Sequence, residues 1–180
     1  FGMEVVLAHP KGYDLQPETL QIAERHAAAS GGSFRRVDRM AEAFEAADIV
    51  YPKSWAPFVH MERRTALLKA GQGGQVEEIE KDGLALNAGF KDWECSEKLM
   101  ARTKGGKGLY MHCLPADITD VSCPAGEVAA SVFDRYRDAT YHEAEHKLYV
   151  IAAMILLTRF ESPARILGDL EAQAAPRRAR

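Results

Sequence analysis

The sequence predicts an α/β domain built on a doubly wound, mostly parallel sheet in a three-layer arrangement. Short apolar runs without polar alternation, such as Glu4–Ala8, are typical of strands that are covered on both faces. Segments with helical periodicity separate these runs and give a β-α-β-α-β order, which implies right-handed crossovers. A length of 180 residues is sufficient for one such domain with a proper core.

The individual elements are separated by Gly, Pro and Ser breakers. Strands are predicted at 4–8, 33–37, 48–51 and 109–111. Helices are predicted at 17–29, 39–47, 59–70, 76–86, 97–102, 126–136, 143–160 and 163–174. Asp38 and Ser96 are the expected N-caps of two of these helices, and segments 90–93 and 138–140 are expected to be extended.

Composition excludes several classes of function. The chain is 47% apolar and 27% charged with a net charge of −3, so it has no basic footprint for nucleic acid or an anionic membrane. No apolar run reaches the roughly 20 residues of a membrane span. Cys95, Cys113 and Cys123 show neither disulfide pairing nor the short spacing of a zinc site, so we expect a cytoplasmic protein without a metal.

The loop after the strand at 109–111 is the leading candidate for a functional site. It carries His112, Cys113 and Pro115, and ligands of open α/β sheets collect where strands end. A cis Leu114–Pro115 bond would fix the turn. A Cys–His catalytic pair is disfavoured, because adjacent residues on an extended strand point to opposite faces. The alternative is a buried strand that ends in a tight turn.

Two lysines are candidates to meet an anionic substrate. Lys53 and Trp55 follow the third strand, where neighbouring loops would bring them near Cys113. Lys147 precedes the strongly apolar segment 148–157, so its position relative to the loops is defined. The alternatives are a solvated lysine with a tryptophan that covers the core, and a solvated charged face around Lys147.

Segment 148–157 is apolar on almost every side of its predicted helix. A helix on the surface of a two-layer domain should have a single apolar stripe. We therefore expect this helix to be covered on both flanks.

The block His112–Cys113–Leu114–Pro115 resembles the His-Cys-Leu-Pro signature of the ornithine/aspartate carbamoyltransferase family, in its C-terminal, amino-acid-binding domain. The stretch from Asp48 to Ala56 is similar to that family's strand and Trp-containing substrate loop. The segment from Tyr141 to Lys147 is similar to the entry into its last long helix. The details are most similar to the knotted YgeW-type carbamoyltransferases, and the resemblance extends over nearly the whole chain.

This resemblance implies a Rossmann-like transcarbamylase second domain with a trefoil knot, and transfer of the carbamoyl group of carbamoyl phosphate to an amine. It implies no cofactor. The backbone at Cys113 and Leu114 would contact the reacting groups, as the catalytic part of the site. The implied substrate-binding residues are Lys53, Trp55, His112, Pro115 and Lys147, the last in place of a phosphate-side arginine.

Three departures from the family pattern change the expected substrate. Ornithine enzymes have an acidic residue at the position of Lys53, so a lysine favours an anionic or acylated amine over free ornithine. Pro57–Phe58–Val59 replaces the Ser-Met-Gly stretch of the ornithine loop. Lys147 keeps a positive charge but loses the bidentate geometry of arginine.

The family's first domain carries a Ser-x-Arg-Thr-Arg phosphate loop and a His-Pro-x-Gln motif, and neither occurs in this sequence. We therefore interpret 1–160 as the amino-acid-substrate domain, and 161–180 as a helix and basic tail that pack on an N-terminal carbamoyl-phosphate domain. The expected assembly is a homotrimer when intact, and the chain alone is expected to be inactive. The alternative is a non-catalytic α/β binding or assembly module that kept the transcarbamylase fold.

Overall fold

The computed structural model describes residues 1–54 and 56–173, and its elements follow the predicted order closely. The strands are β1 (Glu4–Ala8), β2 (Ser33–Val37), β3 (Ile49–Val50) and β4 (Leu109–Tyr110). The helices are α1 (Pro17–Ala29), α2 (Met40–Phe44), α3 (Phe58–Lys69), α4 (Val76–Asn87), α5 (Glu97–Met100), α6 (Ala130–Glu145), α7 (Lys147–Arg159) and α8 (Pro163–Gln173). Short 3₁₀ turns lie at Gly73–Gln75, Ala88–Phe90 and Lys104–Gly106.

The strands pair in parallel, which confirms the predicted α/β class. Strand β1 pairs with β2, with Glu4 opposite Ser33, and β3 pairs with β4, with Val50 opposite Tyr110. Since both strands of the second pair run in the same direction, the chain leaves β3 and β4 at the same edge. This edge carries the candidate site.

The core lies behind the second pair of strands. It is formed by apolar side chains from α2, β3, β4, α5 and α6 together with the segments that precede α5 and α6: Phe44, Val50, Cys95, Met100, Tyr110, Val128, Val132 and Phe133. Burial is strongest for Cys95, Tyr110, Val128 and Val132, none of which is measurably exposed. The strand ends that carry the site therefore rest on a well-packed base.

The prediction for the last third of the chain is wrong in one respect. Segment 138–140 was expected to be extended and 143–160 to be a single helix, but α6 continues to Glu145 and a new helix begins at Lys147. The physical reason is a stripe of side chains at i, i+4 spacing, Val132, Tyr136 and Thr140, of which the first and last are fully buried. This stripe keeps the polar sequence helical.

Two local expectations also differ from the structure. Asp38 does not cap α2, because Arg39 occupies the cap position and makes no side-chain capping bond. Segment 90–93 is not extended, since the amide of Trp93 donates to the carbonyl of Phe90 at 3.0 Å in a turn. Ser96 is the N-cap residue of α5, as predicted, although its hydroxyl makes no capping bond.

Helix α7 is exposed on nearly all sides, so the described part of this chain does not provide the cover that is expected for it. Leu148, Ile151, Met154 and Leu157 are each more than half exposed, and only Leu156 is partly covered by the described residues. Among the described residues, no helix combines the length and hydropathy needed to cross a bilayer.

A first prediction concerns the core. Val128→Ala removes two methyl groups from a fully buried site and should lower the free energy of unfolding by about 2 kcal/mol, through lost burial plus a small cavity. The matched control is Val121→Ala at a 70% exposed position, which should change it by less than about 0.5 kcal/mol. Urea denaturation measures both values. Equal effects of the two substitutions would contradict the assigned core.

A second prediction concerns the cysteines. Burial raises the pKa of the Cys95 thiol to about 12, with the charges of Glu94 and Glu97 as smaller contributions, so this thiol stays protonated and inaccessible. Cys113 and Cys123 are only partly buried. A thiol reagent at pH 8 should therefore modify these two in the native protein and Cys95 only after denaturation. Rapid native modification of Cys95, located by peptide mapping, would overturn this assignment.

Candidate functional site

The site is built where β3 and β4 end side by side. The amide of Met111 donates to the carbonyl of Val50 at 3.0 Å, which is the last sheet bond before the two chains separate into loops. The first loop contains Lys53 and Ser54, and the second runs from His112 to Asp117. This is the edge at which ligands of parallel sheets bind.

His112 anchors the second loop and is completely buried. Its backbone amide donates to Glu143 Oε2 at 2.9 Å, and its ring nitrogen Nδ1 accepts from the amide of Leu114 at 2.9 Å. Because Nδ1 acts as an acceptor, the ring proton is assigned to Nε2, which lies 2.7 Å from Glu127 Oε1. The ring lies nearly parallel to those of Tyr51 and Tyr110, at centroid distances of 6.2 and 6.3 Å.

The turn that follows has an unusual backbone. Leu114 has a φ of +51°, which is in the left-handed region that a side chain of this size rarely adopts. The Leu114–Pro115 peptide is cis, as expected from the sequence. The left-handed conformation of Leu114 persists only when its surroundings determine it, and here the bond from the amide of Leu114 to Nδ1 of His112 does so. The turn presents the carbonyls of Cys113 and Pro115.

Both candidate lysines bond to these carbonyls. Lys53 Nζ donates to the carbonyl oxygen of Pro115 at 3.3 Å, and Lys147 Nζ donates to that of Cys113. Lys147 is the first residue of α7, where the helix dipole disfavours a cation, so its contact with a carbonyl dipole is notable. Both lysine side chains belong to exposed residues, and their ammonium groups are free to turn toward a ligand.

Tyr51 lies beside the turn. Partial burial, the neighbouring side chain of Cys113 and the charge of Glu143 raise the pKa of Tyr51 well above its ordinary value. The phenol therefore stays protonated across the physiological range.

Glu127 is the residue that sequence reasoning missed. Its side chain is only 4% exposed, and its Oε1 accepts from the amide of Asp117 at 3.1 Å in addition to the contact with His112. Its Oε2 accepts from the amide of Ser54. The one signal in the sequence is a single carboxylate between Gly126 and the apolar Val128. Glu143 was missed as well, since it falls in a segment that reads as a solvated charged face.

Gly126 allows Glu127 to approach the loop. A Cβ atom at this position would overlap the carbonyl of Asp117, so any other residue would push the two segments apart. The close approach permits the amide of Glu127 to donate to the carbonyl of Asp117 at 2.8 Å. Glu127 is thereby held by its backbone as well as by its side chain.

The structure brings the predicted site residues that it describes into one connected set. Contacts join Lys53 to Pro115, Lys147 to Cys113 and His112 to Leu114. Trp55 lies outside the described residues. Among those described, no group of three His, Cys, Asp or Glu side chains is arranged to hold a metal ion. The arrangement offers backbone acceptors flanked by two cations, which suits an anionic ligand with N–H donors.

Comparison with known proteins gives a consistent result. The family model for the Asp/Orn binding domain of aspartate/ornithine carbamoyltransferase matches residues 1–158. YgeW of Escherichia coli strain K12, which is classed with the carbamoyltransferases, is 55% identical over 177 residues, covering 98% of this chain and 45% of that protein. The ornithine carbamoyltransferase of Thermococcus kodakarensis is 30% identical over 156 residues, covering 87% of this chain and 41% of the relative.

Solved structures of transcarbamylases have the same fold. A mutant N-acetyl-L-ornithine transcarbamylase in complex with carbamyl phosphate and N-succinyl-L-norvaline aligns with a TM-score of 0.64 at 26% identity, covering 86% of this chain and 40% of the other. The anabolic ornithine carbamoyltransferase of Campylobacter jejuni aligns with a TM-score of 0.59 at 25% identity, covering 87% and 43% of the two chains.

The chain spans less than half the length of these relatives. The matched family domain, by contrast, extends over most of the chain, from residue 1 to residue 158. The chain therefore belongs to the aspartate/ornithine carbamoyltransferase family and corresponds to its Asp/Orn-binding domain.

Proposed function

We propose that this chain supplies the amine-substrate half of a carbamoyltransferase site, in which the carbamoyl group of carbamoyl phosphate moves to an amino-acid-like amine other than free ornithine. The observation that carries the proposal is the turn at Cys113–Pro115, whose outer carbonyls face the ammonium groups of Lys53 and Lys147. Family membership supports the reaction class.

In the proposed reaction an uncharged amine nitrogen attacks the carbamoyl carbon. A C–N bond forms, the C–O bond to phosphate breaks, and phosphate leaves with the electron pair while the amine loses a proton. The carbonyls of Cys113 and Leu114 would accept N–H bonds from the amine and the carbamoyl group. Lys147 would offer its charge to the departing phosphate. Most of the rate would come from positioning, since the turn is already held in a defined geometry.

His112 would act indirectly. Its ring is completely buried, with Nδ1 bonded to the amide of Leu114 and Nε2 at 2.7 Å from Glu127 Oε1, so the ring is not exposed to a substrate. We assign it the task of holding the turn, with Pro115 as the residue that shapes it. Trp55 remains a proposed pocket residue on the basis of the resemblance.

Lys53 determines the proposed substrate class. An ammonium group at this position repels an α-ammonium and attracts a carboxylate or an acyl oxygen. One structural relative was solved with N-succinyl-L-norvaline, an acylated and anionic amino acid. We propose an N-acylated or otherwise anionic amine substrate for this chain.

A second domain is part of the proposal. The chain spans less than half the length of its relatives, and the exposed apolar surface of α7 is suited to packing against further protein. We propose that a carbamoyl-phosphate domain packs there, that α8 also packs on it, and that the intact protein is a homotrimer. Residues 174–180 of the predicted basic tail lie outside the described residues.

Lys53→Glu tests the substrate class. With the complete natural protein, phosphate release from carbamoyl phosphate should require an amine, and the KM for an anionic or acylated amine should rise about tenfold in the variant, because attraction becomes repulsion. Lys11→Glu, at an exposed lysine in the loop after β1, is the matched control. Absence of phosphate release with a broad amine panel would overturn the proposed function. An unchanged KM in the Lys53 variant would overturn the substrate class alone.

Cys113→Ser tests whether the turn acts through its backbone. The substitution keeps the carbonyl and removes the thiol, so kcat should fall less than about tenfold. Loss of a catalytic nucleophile would instead lower it by about 10⁴-fold or more. Cys123→Ser is the control, since Cys123 is also partly buried. A loss of the larger size in the Cys113 variant alone would replace the backbone role with thiol chemistry.

A further inference from the structure

The buried side chain of Glu127 is hydrogen-bonded to both loops of the site. Its two carboxylate oxygens accept hydrogen bonds from the amides of Ser54 and Asp117, which are 63 residues apart in the chain. Its Oε1 also lies beside Nε2 of His112. The first loop carries Lys53 and the second carries the turn. No other bond of a buried side chain in the described residues joins the two loops in this way.

The bonds to the two loops require a carboxylate at position 127. Its two bonded partners, the amides of Ser54 and Asp117, are N–H donors to different oxygens, and only a group with two acceptor oxygens can satisfy both. A glutamine would keep the shape but place an amide N–H₂ against at least one of these donors. Either Ser54 or the pair formed by Asp117 and His112 would then face a donor instead of an acceptor.

We propose that Glu127 is a positioning residue that clamps the Lys53 loop to the Cys113–Pro115 turn, so that the ammonium group of Lys53 and the backbone acceptors of the turn keep a fixed separation. The catalytic consequence rests on the proposed function, whereas the clamp itself is a property of the fold. Glu127 does not touch the proposed substrate. It acts through the amides of Ser54 and Asp117 and through the His112 ring, which in turn holds Leu114.

The test combines amide exchange with kinetics in the complete natural protein. In Glu127→Gln, hydrogen exchange at the amide of Ser54 or of Asp117 should accelerate at least about tenfold, while the amides of β1 and β2 keep their protection. The kcat/KM for carbamoyl transfer should fall about 100-fold, the scale of a misplacement near 1 Å. The matched control is Glu97→Gln, which removes a carboxylate bonded to Arg135 at 2.8 Å outside the site and should leave both readouts unchanged.

A double-mutant cycle separates positioning from a merely structural role. If the clamp sets the position of Lys53, Lys53→Glu should raise KM about tenfold in the natural background and less than about twofold in the Glu127→Gln background. Independent effects of the two changes, or exchange that rises uniformly across the core, would overturn the positioning role. Natural exchange rates at both amides together with natural kcat/KM would also overturn it.

The two proposals can fail separately. If the natural protein transfers no carbamoyl group, the proposed function fails, and exchange at Ser54 and Asp117 still decides whether the clamp exists. If Glu127→Gln does not fold, Glu127→Asp takes its place. The aspartate keeps the negative charge, but its side chain is one methylene shorter, so the carboxylate lies farther from both amides. Hydrogen exchange at the amides of Ser54 and Asp117 should therefore accelerate. Unchanged exchange at both amides would refute the clamp.

Discussion

The contact between His112 and Glu127 is the interaction on which the candidate site depends. Both side chains are almost completely buried, and their closest atoms are 2.7 Å apart. A buried carboxylate is costly unless its oxygens are bonded, and here backbone amides provide the bonds. Leu114 donates to Nδ1 of His112, so the ring proton is assigned to Nε2, on the side of Glu127. Backbone N–H groups bond to both carboxylate oxygens of Glu127.

This dependence explains why the functional atoms of the turn are backbone atoms. The left-handed conformation of Leu114 is unfavourable for a leucine, and it is maintained by a bond to the ring of His112. The backbone amide of His112 is bonded to Glu143, and its ring lies against Glu127. A side chain that swings between rotamers would present a ligand with a less defined acceptor than a carbonyl in such a turn. The surrounding hydrogen bonds offset the energy that this backbone conformation costs. Such an arrangement is common at sites that hold a ligand in one geometry.

Local pattern was sufficient to predict most of the elements and part of the site. Apolar runs bounded by breakers predicted β1, β2 and α1 with their bounds, and the signature at His112–Pro115 indicated the turn. The division between α6 and α7 could not be predicted, because the burial of Thr140 depends on tertiary packing rather than on local polarity. Glu127 was missed for a similar reason. Its partners Ser54 and His112 are distant in sequence, so a lone glutamate carries almost no local sign of its bonds.

The position of Lys147 connects this buried network to the exposed surface of the chain. The residue is the first of α7, and its ammonium group bonds to the carbonyl of Cys113 in the turn. The exposed apolar side chains of α7 therefore begin at Leu148, one residue after the contact with the turn. A lysine can make this contact from an exposed position because its long, flexible stem carries a point charge that does not need the planar geometry of an arginine.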